Sequence, residues 1–208
     1  MALSYWDRSY VQMVYQNLLY AIGNDYGVAG LMGNLYAESG ICPFRCQGDF
    51  STNYVNSYNV TINTLRTLSS YDFQHYVYGG NPANQGYSLA QWTTYSRKAN
   101  YYDFCGQSLL GDGQKSIEFL IYELQTSYSS VWNVLVNAGS IREASNKVLH
   151  DFESPADQSE AVEILRASYG TDIYNDFSGL PPIPPGPTTD INKILLSRWI
   201  RKRRHELI

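Results

Sequence analysis

The segment Gly30-Leu-Met-Gly-Asn-Leu-Tyr-Ala-Glu-Ser-Gly40 indicates the end of an apolar helix that carries a single acid, Glu38. A helix is predicted from about residue 26 to residue 38, because apolar residues recur there at helical spacing. Ser39-Gly40 would end it, since glycine is the usual residue just beyond a helix, and Pro43 would prevent it from resuming. Four small residues would allow neighbouring helices to approach closely: Gly27, Ala29, Gly30 and Gly33.

The position of Glu38 predicts a carboxyl group that keeps its proton near neutral pH. The C-terminal end of a helix dipole disfavours negative charge, and burial beside Leu35 and Tyr36 would disfavour it further. A protonated carboxyl group is what a glycosidase uses to protonate the leaving oxygen. From these residues alone, a surface glutamate without catalytic function is the alternative, because many helices end in one.

A second segment, residues 85–97, carries side chains that suit a sugar cleft. Gln91 could hydrogen-bond a sugar, and Trp92 could stack on the apolar face of a pyranose. Tyr87 combines an apolar ring with a hydroxyl group, which also suits a sugar-binding surface. Burial in the core is the alternative for Trp92.

A third segment, residues 148–162, is a polar break between two predicted helices. It places Glu153 and Asp157 near the turn, where Glu153 could contact a substrate. A capped loop between two helices is the alternative explanation.

The rest of the pattern predicts an α+β fold that is predominantly α. Residues 42–90 are irregular and rich in Asn, Ser, Gly and Tyr, so we expect loops and short strands that line a cleft. The remaining helices are predicted at about 9–22, 94–104, 113–125, 128–138, 140–152 and 158–176.

The composition changes sharply near residue 180. Five prolines lie between 181 and 187, which predicts a semi-rigid linker over 181–189. Residues 181–208 contain six Lys and Arg and two acidic residues, so their net charge is +4. Because the whole chain has a net charge of −4, the predicted domain, residues 1–180, has a net charge of −8. The pattern of residues 190–208 predicts a basic amphipathic helix. Three roles are open for it: binding to anionic membranes or cell walls, docking on the domain or on another copy of the chain, or no role in binding.

Several classes of function are disfavoured by composition. An acidic domain is unlike the basic surface of a nucleic-acid enzyme, so no nucleic-acid partner is expected. The spacing of the three cysteines and three histidines does not match a zinc site, so we expect no metal or other cofactor. The sequence does not decide which of Cys42, Cys46 and Cys105 form a disulfide bond. The first residues do not resemble a signal peptide, and no run of about 20 apolar residues predicts a membrane span.

Taken together, three motifs resemble the phage tail lysozyme family over residues 5–178: G-L-M-G-N-x-x-A-E-S-G, G-Y-x-L-A-Q-W-T and F-E-x-P-A-D-Q-S-E-A. The resemblance implies a lysozyme-like helical fold, with the family's catalytic glutamate at Glu38 and its cleft glutamine at Gln91. Ser88 and Ser154 depart from the family, whose members usually have Gly and Arg at these positions. Glycine tolerates backbone angles that serine does not, so the cleft wall could change at Ser88.

The function that the resemblance implies is a peptidoglycan glycan-strand hydrolase, an N-acetylmuramidase with Glu38 as general acid. Asp49 lies in the loop expected to fold over the cleft and is the candidate second carboxylate; a mechanism with Glu38 alone is equally open. The alternatives are a lytic transglycosylase and an inactive domain that binds the wall or builds a tail. Peptidoglycan and phage tail proteins are the implied partners, and the expected location is the virion tail or the host cytoplasm before release.

Overall fold

The computed structural model describes residues 3–47, 63–75 and 85–186, and these residues form a mostly helical domain. The helices are α1 (Arg8–Ile22), α2 (Asp25–Ser39), α3 (Asn63–Leu65), α4 (Ser70–Gln74), α5 (Tyr95–Cys105), α6 (Gly113–Thr126), α7 (Ser129–Asn137), α8 (Ile141–Val148) and α9 (Glu160–Phe177). The predominantly α fold predicted from the sequence is confirmed. Within the described part of residues 42–92, strand-like pairing is limited to isolated bridges of Tyr87 with Cys46 and with Trp92.

The long helices begin and end close to their predicted limits, and side chains cap several of them where they begin. The side chains of Asp7 and Asn24 accept backbone N–H groups at the starts of α1 and α2. Ser140 does the same for α8. The predicted helix 140–152 differs in its second half, where α8 gives way to a π-helical turn over Leu149–Glu153.

Helix α2 lies at the centre of the domain and is buried on nearly every side, from Gly27 to Leu35. It packs against α1, α7, α8 and α9. Three glycines make this possible, because a β-carbon at each would overlap a different helix. A β-carbon at Gly27 would lie 2.0 Å from the Leu135 carbonyl oxygen on α7. One at Gly30 would lie 2.5 Å from the Ala144 β-carbon on α8, and one at Gly33 would lie 2.4 Å from the Arg166 carbonyl oxygen on α9.

The start of the predicted linker is fixed to the domain. The Ile183 N–H donates to the Gln16 carbonyl at 3.1 Å, and the Gln16 side chain donates to the Pro181 carbonyl at 2.9 Å. Asn17 donates to the Ile183 carbonyl at 3.3 Å. Any free spacer therefore begins beyond this contact with α1. The predicted helix 190–208 lies outside the described residues.

Two further features bear on the sequence expectations. Cys42, Cys46 and Cys105 are buried thiols, and no disulfide joins them. Among the helices that the structure describes, none is long and apolar enough to cross a membrane.

The close approach of α2 gives a stability test. Alanine favours an exposed helix over glycine by about 1 kcal/mol, but at Gly30 and Gly33 the added methyl group meets backbone and β-carbon atoms. We expect Gly30→Ala and Gly33→Ala each to lower the free energy of unfolding by about 1–3 kcal/mol, measured by urea denaturation. Gly139→Ala is the control, because its β-carbon would lie 3.5 Å from its nearest neighbour, the Glu143 carboxylate. Equal stability of all three variants would contradict this account of the packing.

Candidate active site

A cleft of about 440 Å³ lies where the three sequence motifs meet. Its wall includes Glu38 from the first motif, Gln91 from the second and Glu153 from the third, together with Gln47 and Arg97. The volume is within the range of about 300–1,000 Å³ that is common for ligand sites. The structure therefore brings together three of the six site residues predicted from the sequence.

The end of α2 holds Glu38 against the second motif. Gly40 ends the helix with a left-handed φ of 65°. The Ser39 hydroxyl lies 2.8 Å from the Leu89 carbonyl and 3.1 Å from the Leu35 carbonyl, and it accepts the Cys42 N–H. The residue after Glu38 thus links the helix terminus to the loop that carries Gln91.

Glu38 is paired with a cation that the sequence analysis did not single out. Arg166 on α9 donates from Nη2 to Glu38 Oε1 at 2.6 Å, with the arginine side chain 9% exposed and the glutamate side chain 22% exposed. The expectation from the sequence considered only burial and the helix dipole and did not include this partner.

The Arg166 guanidinium is held in place by Asn34, one turn before Glu38 on α2. Arg166 Nη1 donates to Asn34 Oδ1 at 3.1 Å. The Asn34 amide in turn donates to the Gly30 and Ser145 carbonyls at 3.0 and 3.1 Å. Asn34 is fully buried, so its presence in an otherwise apolar helix was the one sequence signal for this network.

The loop of the second motif turns Gln91 toward the cleft. Tyr87 and Trp92 exchange backbone hydrogen bonds, and both Ser88 and Gln91 adopt left-handed φ angles, 68° and 46°. The Gln91 side chain donates to the Ser88 and Arg45 carbonyls at 2.8 and 3.1 Å. Ser88, where the family usually has Gly, keeps the left-handed backbone, and its hydroxyl bonds to the Ser116 hydroxyl at 3.2 Å.

Trp92 and Tyr87 are core residues, which corrects the expectation that they bind sugar. Their exposed fractions are 0% and 2%. The Trp92 ring stacks on Tyr101 at 4.8 Å and meets Phe119 edge-on at 5.0 Å. Since no face of the ring is exposed, Trp92 cannot stack on a pyranose.

Arg97 and Glu123 form a second, partly buried ion pair beside the cleft. Arg97 donates from Nε and Nη2 to the two carboxylate oxygens of Glu123, each at 2.8 Å. Trp92 Nε1 donates to the same carboxylate at 2.7 Å. The guanidinium also lies over the Phe152 ring, 4.7 Å from its centroid. This pair connects the second motif to the third.

Glu153 follows Phe152 at the end of the π-helical turn and lines the cleft. Its Oε1 atom is buried and has no hydrogen-bond partner among the residues that the structure describes. Burial, followed by the negative charge of Glu38, holds the pKa of Glu153 well above its ordinary value, although Arg97 and Arg166 act in the opposite direction. Asp49, the predicted second carboxylate, lies outside the described residues.

The fold and the site together define a helical domain with an acidic cleft built from three separate chain segments. A family model described as phage tail lysozyme matches residues 11–177, and the chain belongs to that family. No curated protein matches the chain. A lysozyme-type part in cell-wall degradation is what this family membership supports.

The opposite orientations of two neighbouring residues give a second test. Trp92→Ala should lower the free energy of unfolding by about 3–5 kcal/mol, because it empties a large core position. Gln91→Ala removes two hydrogen bonds, each worth about 0.5–1.5 kcal/mol, and should mainly weaken chitooligosaccharide binding. Thermal denaturation and calorimetric titration measure the two effects. Equal losses of stability in both variants would contradict the assignment of Trp92 to the core and Gln91 to the cleft.

Proposed function

We propose that this protein is an N-acetylmuramidase that hydrolyses the β-1,4 bond between N-acetylmuramic acid and N-acetylglucosamine in bacterial peptidoglycan. Glu38 is its essential catalytic carboxyl group. The single observation that carries the proposal is the position of Glu38, which lines the same cleft as Gln91 and Glu153 in a chain of the phage tail lysozyme family.

The charges around Glu38 support catalysis more than passive binding. A buried ion pair is costly to desolvate and is weak evidence for stability. Here the guanidinium of Arg166 pairs with Glu38, whose side chain lines a cleft. A carboxyl group positioned in such a cleft can act as the general acid that protonates the leaving oxygen of a glycosidic bond, and this is the role that we propose for Glu38.

Gln91 supplies the polar contact to the sugar. Its amide nitrogen is occupied by the Ser88 and Arg45 carbonyls. The side-chain oxygen can therefore accept a hydrogen bond from a hydroxyl or acetamido N–H group of the glycan. This arrangement fixes the orientation of the amide before substrate arrives, which reduces the entropy lost on binding.

We propose that this domain reaches the wall from a virion tail or from the host cytoplasm, and the family's description as a phage tail lysozyme supports the first of these routes. Peptidoglycan is then its substrate and tail proteins are possible neighbours in an assembly. The basic segment 190–208 stays a predicted contact to an anionic membrane or wall surface.

Glu38→Gln tests the proposal directly. The variant should fold normally, because glutamine can still accept a hydrogen bond from Arg166. Its activity on purified peptidoglycan should fall by about 10²–10⁴-fold, as is typical when a group that transfers protons is lost. Release of reducing ends measures the activity, and the melting temperature checks the fold.

Glu118→Gln is the matched control, since Glu118 pairs with Lys115 on α6 and does not line the cleft. Mass spectrometry of the products decides the reaction type. Reducing muramic acid ends support hydrolysis, whereas anhydro-muramic ends would replace it with lytic transglycosylation. Wild-type protein that binds the wall but releases no fragments would instead support a non-catalytic domain.

A further inference from the structure

We propose that Gln47 and Gln91, which line the same cleft, act as an amide pair that binds one acetamido group of the glycan. Gln47 donates to the carbonyl oxygen of that group, and Gln91 accepts its N–H. The inference rests on the proposed function, because N-acetylmuramic acid and N-acetylglucosamine both carry an acetamido group at C2. It adds Gln47, which the sequence analysis did not single out, to the residues that bind substrate.

Backbone hydrogen bonds decide which end of the Gln47 side chain is free. The Gly86 N–H donates to Gln47 Oε1 at 2.9 Å, and the Gln47 N–H donates to the Gly86 carbonyl at 2.9 Å. Only the oxygen of a side-chain amide can accept an N–H, so this contact fixes the orientation of the amide. Nε2 then keeps two N–H donors that have no partner among the residues that the structure describes.

Gln91 is fixed in the opposite sense. Its Nε2 donates to the Ser88 carbonyl at 2.8 Å and to the Arg45 carbonyl at 3.1 Å. Its Oε1 has no hydrogen-bond partner within the described part of the chain. One amide therefore offers donors to the cleft, and the other offers an acceptor.

Both amides are attached to the same short piece of backbone. Gly86 bonds to Gln47 and also packs on Gln91, where a β-carbon on Gly86 would lie 2.6 Å from the carbonyl oxygen and 2.8 Å from the β-carbon. The Arg45 carbonyl accepts the Ser88 N–H at 2.7 Å as well as the Gln91 side chain. The two segments thus hold both amides in place before substrate arrives, which reduces the entropy lost on binding.

The chemistry of the amide pair matches an acetamido group. Such a group has one N–H donor and one carbonyl acceptor, so a donor and an acceptor of fixed orientation satisfy both. A hydroxyl group at C2, as in glucose, would leave one of the two amides without its partner. Sites built to hydrogen-bond a substrate group reject the analogue that lacks it. The amide pair therefore predicts a preference for N-acetylated sugars over glucose polymers.

Gln47→Glu is the central variant. The carboxylate keeps the size of the side chain and can still accept the Gly86 N–H, but it has no N–H to donate to the glycan. Calorimetric titration near neutral pH would use two uncharged ligands of equal length, an N-acetylglucosamine oligomer and a glucose oligomer. Both the parent and the variant would carry Glu38→Gln, so that neither ligand is cut during the measurement.

The Kd for the N-acetylglucosamine oligomer should rise about tenfold in Gln47→Glu, which corresponds to the loss of one hydrogen bond. The Kd for the glucose oligomer should stay unchanged, whether it is measurable or too weak to detect. The melting temperature should equal that of the parent, because the contact to Gly86 is retained.

Gln125→Glu is the matched control for the added negative charge. Gln125 is exposed on α6 and does not line the cleft. This variant should leave the Kd of both ligands unchanged. An equal loss of affinity in Gln125→Glu would show that the charge, and not the missing donor, weakens binding.

Kinetics with the active enzyme give a second readout. On soluble peptidoglycan strands, Gln47→Glu alone should raise KM and leave kcat nearly unchanged, because a contact made equally in the ground state and the transition state affects only KM. A fall in kcat together with a lower melting temperature would assign Gln47 to the structure of the loop and would overturn its role in binding.

Three results of the titration would overturn the inference: unchanged affinity of Gln47→Glu for the N-acetylglucosamine oligomer, an equal loss for both ligands, or no binding of that oligomer by the parent. None of them affects the proposed function if the wild-type protein still releases fragments from peptidoglycan. If it releases none but binds the oligomer through Gln47, the amide pair stands and the proposed function fails.

Discussion

The buried guanidinium of Arg166 is the interaction on which both the packing and the cleft depend. It extends from α9 to α2, where it donates to Asn34 and to Glu38. The backbones must approach closely for this contact, and they do so because Gly33 lies against the Arg166 carbonyl. A guanidinium withdrawn from water is tolerated only when its donors are satisfied. The geometry of Glu38 is therefore fixed by the same atoms that hold the two helices together.

A second arginine, the half-buried Arg97, also joins two helices beside the cleft. Arg97 joins α5 to Glu123 on α6 and lies over Phe152 at the start of the third motif. Each of the two guanidinium groups thus has a carboxylate partner before any substrate is present. Glu153 lines the same cleft, and no hydrogen bond joins it to either guanidinium group. This difference between two cleft carboxyl groups comes from long-range packing rather than from their local sequence.

The sequence predicted the helices well because the periodicity of apolar residues is a local property, and so are caps such as the observed ones at Asp7, Asn24 and Ser140. It also placed Glu38, Gln91 and Glu153 near one another through their motifs. It could not predict the ion pair of Glu38, because the partner, Arg166, lies 128 positions further along the chain. Nor could it decide between the cleft and the core for Trp92. In the structure Gln91, which has a left-handed backbone, lines the cleft, whereas its neighbour Trp92 is buried in the core.

Backbone strain in the described residues is concentrated in these same motifs. Four residues other than glycine adopt positive φ angles: Ile41, Ser88, Gln91 and Ser154. Ile41 directly follows the first motif, Ser88 and Gln91 belong to the second, and Ser154 follows Glu153 in the third. Such conformations cost about 1–3 kcal/mol each and persist where the surroundings enforce them. Glycine at position 88 would relieve that strain. The hydrogen bond between the Ser88 and Ser116 hydroxyl groups offsets part of the strain that serine causes there. The domain thus gives up backbone stability at the segments that set the positions of its cleft side chains, which is the distribution expected when those positions serve chemistry.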